Sequence, residues 1–167
     1  MKNGILYLVV PCYNEELVIA EATKKISEKL DEMIKNKLIS NKSKICFVDD
    51  GSKDKTWDLI EKETKTNKKV LGVKLSHNRG HQYALLAGLM AVKDYADMVI
   101  TIDADLQQDI NALDRFVEEY YKGNDIVYGV RTSRKTDGFM KKVTSQIFYK
   151  LMTAFGCESI KNHADYR

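Results

Sequence analysis

Residues 99–107, Val-Ile-Thr-Ile-Asp-Ala-Asp-Leu-Gln, carry an apolar β-type run into two carboxylates, Asp103 and Asp105, with the amide of Gln107 two residues on. At the end of such a strand the side chains leave the packed sheet and meet water, metal and ligand. Alternate residues of an extended segment point the same way. Read as extended, the segment turns Asp103, Asp105 and Gln107 toward one hard cation. Oxygen-only ligation of this kind suits Mg²⁺ or Mn²⁺, ions that also bind substrate phosphates. Taken alone, an Asp-x-Asp is equally consistent with two solvated loop aspartates.

Four more polar clusters follow apolar runs: Pro-Cys-Tyr-Asn-Glu-Glu at 11–16, Asp-Asp-Gly-Ser-Lys-Asp at 49–54, Ser-His-Asn-Arg-Gly at 76–80 and Gly-Val-Arg at 129–131. The carboxylate of Asp50 can accept hydrogen bonds from a base imino or amino group. The ring of Tyr13 can stack on a nucleobase. Glu15 can accept from a base or a ribose hydroxyl, or serve as a favourable charge in the first turn of a helix. Ser52 and Asp54 are equally readable as caps of the next helix, with Gly51 supplying a permissive backbone angle. Gly80 allows close backbone approach to a sugar or phosphate, and His81 reads foremost as a helix-start residue. Neither His77 nor His81 has a nucleophile partner of the Ser/His/Asp kind.

The elements that position these clusters alternate in type. Apolar β-type runs lie at 5–10, 44–48, 70–75, 98–102 and 126–130, and helical patterns at 15–37, 56–66, 80–94, 111–122 and 139–155. In the first helix Val18, Ala22, Ile26, Leu30, Met33 and Ile34 form an amphipathic stripe at three-to-four spacing. Strands separated by helices imply βαβ units and a mainly parallel, Rossmann-like α/β sheet flanked by helices. Ligands of such sheets bind beyond the carboxyl ends of the strands, where all five polar clusters fall.

The chain has 167 residues, enough for one domain with a substantial core, and 1–167 reads as a single catalytic domain. Its net charge of +3 does not point to nucleic acid. Three scattered cysteines (Cys12, Cys46, Cys157) fit neither a disulfide framework nor a zinc site, so a reducing compartment is expected. There is no signal-peptide pattern and no apolar run of membrane-spanning length. Six Lys/Arg against one acid between Arg131 and Lys150 give that stretch a net charge of +5, against −2 for the rest of the chain. Interleaved with Phe139, Met140, Phe148 and Tyr149, it suits anionic lipid or a phosphate-bearing acceptor, or a solvated helix face at Lys141 and Lys142. The sequence stops at Arg167 directly after a helical pattern, as expected of a domain cut from a longer protein.

In order and spacing, Val10-Pro-Cys-Tyr-Asn-Glu15, Val48-Asp-Asp-Gly-Ser-Lys-Asp54, Asn78-Arg-Gly80 and Asp103-Ala-Asp-Leu-Gln107 resemble the motifs of family 2 glycosyltransferases. Gly129-Val-Arg131 and Asp165-Tyr-Arg167 resemble the polyprenyl-phosphate branch, which includes dolichol-phosphate mannose synthase and bacterial undecaprenyl-phosphate sugar transferases. The resemblance covers nearly the whole chain. It implies a GT-A fold, with Pro11, Tyr13, Glu15, Val48, Asp50, Asp103 and the Ala104 backbone at the nucleotide. It further implies Asp103, Asp105 and Gln107 at a Mg²⁺ or Mn²⁺ ion, and Arg131 and Arg167 at the acceptor phosphate or donor diphosphate. Asp105 and Arg131 are then the catalytic residues. The run 108–111, Gln-Asp-Ile-Asn, departs from the family, in which many members place Asp or His before Pro-Pro-Glu.

The implied reaction inverts the anomeric centre of a UDP- or GDP-linked sugar as it passes to a polyprenyl phosphate. The setting is the cytoplasmic side of a membrane, reached through segments beyond residue 167. A phosphate with its second pKa near ~6 is already ionised at neutrality and needs little help from a base. A hydroxyl acceptor needs a carboxylate beside it, and none stands out before Arg167. A hydroxyl-directed transferase building cell-surface polysaccharide is the alternative, as is a non-catalytic nucleotide-sugar-binding module. A dinucleotide oxidoreductase is disfavoured, since no Gly-x-Gly-x-x-Gly follows the first strand. Association into a homo-oligomer is compatible with this composition.

Overall fold

Four parallel strands run in the order β3-β2-β1-β4. The computed structural model describes residues 3–129 of the chain. In sequence the elements are β1 (Leu6–Cys12), α1 (Ile19–Lys35), β2 (Lys44–Asp49), α2 (Thr56–Thr66), β3 (Val70–Lys74), α3 (His81–Val92), β4 (Met98–Thr101) and α4 (Ala112–Tyr121). Each strand is followed by a helix, as the alternating pattern requires. The strand order doubles back at β1, which pairs with β2 on one side and β4 on the other. That reversal opens a crevice at the carboxyl ends of β1 and β4, the place where open α/β sheets bind ligands.

Residue alternation sorts the core. Tyr7 and Val9 of β1 and Cys46 and Val48 of β2 face α3, packing on Ala84, Leu85 and Val92. The approach is close because Gly88 lies against Val9 and Val48. The opposite alternation, with Leu6, Leu8, Ile45 and Phe47 wholly buried, leaves the other face to α1 and α2. The buried stripe of α1 is Ile19, Ala22, Ile26, Leu30 and Met33, close to the spacing read from the sequence. Lys29, 5% exposed, ties α1 to α4 through Asp114 at 2.7 Å.

Pro11 sits in a central strand without loss to the sheet. Val9 accepts from Ile102 on the β4 side, and Cys12 accepts from Asp50 on the β2 side. By alternation the Pro11 nitrogen faces the β4 side, where the ladder has already ended at Val9–Thr101.

Two expectations need correction. The first helix begins at Ile19, not residue 15, because Asn14 takes a left-handed conformation (φ 55°) and residues 16–18 form a turn. Residues 126–129 lie in no strand, and Ile126 is 67% exposed, so its apolar side chain has no sheet face to bury it. The expected helix over 139–155 and its basic surface lie outside the described residues, as do Arg131 and Arg167. No helix among the described residues is long and apolar enough to cross a membrane.

Candidate active site

A cavity of about 210 Å³ opens at the β1/β4 reversal, lined from three strand ends and one helix start. The end of β1 and the turn after it contribute Pro11, Cys12, Tyr13 and Glu15, and β2 leads to Asp50. The segment after β4 supplies Asp103, Ala104 and Asp105, and α3 closes the wall with His81 and Ala84. Four carboxylates thus share a space whose described lining has no Lys or Arg.

Electrostatics bear on this directly. Partial burial raises the carboxyl of Glu15 above its ordinary value, and the negative charges of Asp105, Asp54 and Asp103 raise it further. The thiol of Cys12 is pushed far above the usual range by burial, then by Glu15 and Asp49. It is an inert wall of the cavity, not a nucleophile. Cys46, in the core, is pushed up to about 11 by burial.

Asp50, 3% exposed, spends its carboxylate on the neighbouring loop. Its Oδ1 accepts the Arg79 N–H at 2.7 Å and its Oδ2 the Gly80 N–H at 2.8 Å. Each oxygen retains a second lone pair for a ligand. Gly51 next to it has φ +67°, and a Cβ there would stand 2.5 Å from the His77 carbonyl carbon. Only glycine permits the 49–52 turn and the 76–80 loop to touch.

The segment carrying Asp103 and Asp105 is not extended. Leu106 donates its N–H to the Asp103 carbonyl at 3.2 Å, and Leu106 itself is left-handed at φ 50°. The alternation that would align Gln107 with the two aspartates is therefore broken. Gln107 is exposed, does not line the cavity, and donates its N–H to Asp105 Oδ1 at 3.1 Å. The amide that engages Asp103 is instead Gln108, which donates to Asp103 Oδ2 while accepting the Asp103 N–H at 3.3 Å. Val48 is also outside the lining: it is wholly buried in the cluster under α3.

Among the described residues no three acidic, histidine or cysteine side chains form a cage for an ion. The donor set fits a different arrangement. Hard cations such as Mg²⁺ are commonly held by one or two carboxylates with substrate phosphates completing the shell, and Asp103 and Asp105 can supply those two.

Residues 7–165 match glycosyl transferase family 2. The chain belongs to this family. It is 55% identical over 166 residues to the uncharacterized glycosyltransferase YkoT of Bacillus subtilis, covering 99% of this chain and 49% of that protein. It is 36% identical over 163 residues to the prophage bactoprenol glucosyl transferase homolog of Escherichia coli, covering 96% and 50%. The chain spans about half the length of these relatives.

Solved structures share the fold. Glucosyl-3-phosphoglycerate synthase of Mycobacterium tuberculosis, in complex with Mn²⁺, UDP and phosphoglyceric acid, aligns at TM-score 0.62 and 19% identity over 96% of this chain and 54% of that one. The mannosyltransferase PcManGT of Pyrobaculum calidifontis, in complex with GDP-Man and Mn²⁺, aligns at 0.56 and 22% over 90% and 39%. The sheet is thus of the GT-A kind.

The sequence marks neither Cys12 and Ala84 as lining residues nor Gln108 as the partner of Asp103. Gln108 carries no signal that separates it from Gln107 until the turn at Leu106 is known.

Proposed function

We propose that this chain is the donor-binding, catalytic part of an inverting, metal-dependent glycosyltransferase. It would move a sugar from a UDP- or GDP-linked donor to a polyprenyl phosphate at the cytoplasmic side of a membrane. The observation that carries the reading is the cavity at the β1/β4 reversal, with Glu15, Asp50, Asp103 and Asp105 and no described basic side chain but His81. Such a wall repels a diphosphate unless a cation stands between them.

In this reading Asp103 and Asp105 hold Mg²⁺ or Mn²⁺, with Gln108 orienting the first carboxylate. The bound ion would supply Lewis-acid neutralisation of charge growing on the departing diphosphate. Tyr13, 40% exposed at the rim, offers a face for the nucleobase. Asp50 and Glu15 accept from base and ribose donors, and the Ala104 backbone lies against the nucleotide. Arg131 and Arg167 orient the two anionic substrates toward each other. The family relatives named for bactoprenol glucosyl transfer, at 35–36% identity, support a lipid-phosphate acceptor.

A panel of UDP- and GDP-sugars, presented to the intact protein with Mn²⁺ or Mg²⁺ and a polyprenyl phosphate, tests the proposal. Transfer from one donor to the lipid phosphate is expected. Transfer to a hydroxyl acceptor alone assigns the alternative reaction, and donor binding without turnover reduces the chain to a binding module.

A further inference from the structure

Glu15 and Tyr13 reach the cavity from a turn whose own backbone secures it only on one side, the Glu15 carbonyl accepting the N–H groups of Val18 and Ile19 at 3.0 and 3.3 Å. Asn14 is left-handed at φ 55°, and the regular helix starts only at Ile19. Three consecutive backbone N–H groups of this turn end on side chains from residues 52–56. Asn14 donates to Ser52 Oγ at 2.9 Å, Glu15 to Thr56 Oγ1 at 2.8 Å and Glu16 to Asp54 Oδ2 at 3.2 Å. Two bonds return: the Lys53 N–H to Asn14 Oδ1 and the Lys55 N–H to Glu16 Oε2, both 2.9 Å.

At the centre of this clasp is Thr56, with 0% exposure. Its hydroxyl donates to Asp54 Oδ1 at 2.6 Å, so a lone pair is left aimed at the Glu15 N–H. Asp54 Oδ1 also accepts the Thr56 N–H at 3.0 Å. Burial alone would raise the Asp54 carboxyl, but the bonds from Thr56 and Glu16 outweigh it and hold the group below its ordinary value. Neither Thr56 nor Asp54 lines the cavity.

We infer that Thr56, oriented by Asp54, is a positioning residue for donor binding: its hydroxyl fixes the backbone of Glu15 and so the place of Tyr13 and Glu15 in the cavity. The inference rests on the nucleotide-binding reading of that cavity. A purely structural Thr56, serving only the start of α2, would affect stability and leave affinity alone.

The test compares Thr56→Val, which keeps the shape and loses the hydroxyl, with Thr56→Ser, which keeps the hydroxyl. Ile60→Val, at the other wholly buried position of the same helix, serves as a control that loosens α2 without touching the clasp. Affinity for UDP and for GDP is measured by calorimetry in the presence of Mn²⁺ on the intact protein, alongside amide exchange at Glu15 and the melting temperature. Thr56→Val should weaken the preferred nucleotide about tenfold and speed exchange at Glu15, Thr56→Ser should stay within about twofold, and Ile60→Val should lower only the melting temperature. Unchanged affinity in Thr56→Val beside a wild type that binds, or an Ile60→Val loss in proportion to melting temperature, overturns the inference alone. A wild type that binds neither nucleotide overturns the donor-site reading and this inference together.

Discussion

Across 30 residues of chain, the carboxylate of Asp50 accepts the backbone N–H of Gly80 at 2.8 Å, while its other oxygen accepts that of Arg79. One nearly buried side chain thus anchors the loop that delivers α3 and His81 to the cavity. Asp50→Asn keeps one acceptor but sets an NH₂ group against a backbone donor. The cost expected is about 1–3 kcal/mol in denaturant unfolding, together with faster amide exchange at Arg79 and Gly80. Unchanged exchange at both amides would show that the loop holds without Asp50.

Asp105 and the divalent ion should behave as one unit. Asp105→Ala is expected to lower turnover by at least about 10²-fold, and its nucleotide affinity should no longer respond to EDTA. Wild-type affinity in EDTA should fall to the level of the variant. If chelation weakens nucleotide binding equally in both proteins, the ion is held by other groups and Asp105 leaves the mechanism.

Glu15 carries a cost in the metal-free state. Its carboxyl is raised by burial and by neighbouring carboxylates. A raised folded-state value means the protonated form is favoured on folding. The resulting stability is present below the ordinary carboxyl value and is lost as pH rises through the raised one. Glu15→Gln should therefore melt about 1–3 °C above wild type at neutral pH without metal, with the gap closing toward pH 4. It should also bind nucleotide more weakly. A variant no more stable than wild type at pH 7 would mean that the repulsion is screened away.

Much of this is legible in the sequence. Apolar runs at β period and helical stripes gave the four described strands and the helices between them, because a parallel sheet buries both faces and tolerates few polar interruptions. Polar clusters at every strand end then located Pro11, Tyr13, Glu15, Asp50, Asp103 and Asp105, all of which line one cavity. What was not legible depends on single backbone angles and long-range bonds. Nothing in a leucine announces the left-handed turn at Leu106 that breaks the extended alternation between the aspartates and Gln107. Asp54 reads as a helix cap, yet one of its oxygens serves Glu16, 38 residues away. The run at 126–129 has strand composition, but a strand also needs a neighbour, which composition does not encode.

Gly88 offers a test of how far the site depends on packing beneath it. A Cβ there would stand 2.5 Å from Val9 Cγ1 and 2.8 Å from Val48 Cγ2, both on wholly buried residues of the two central strands. Neither valine is a long side chain able to swing away, so α3 must lift from the sheet. Gly88→Ala gains helix propensity of roughly 1 kcal/mol, yet overpacking of this kind costs about 1–3 kcal/mol, and contacts under 3 Å place it at the upper end. A net loss of about 1–2 kcal/mol in unfolding free energy is expected. Because His81 and Ala84 ride on the same helix at the cavity wall, nucleotide affinity should fall with it. Val48→Ala in the Gly88→Ala background makes room for the new methyl and should recover part of both losses. A double variant less stable than the sum of its parts would show that α3 yields by some route other than the Val9–Val48 surface.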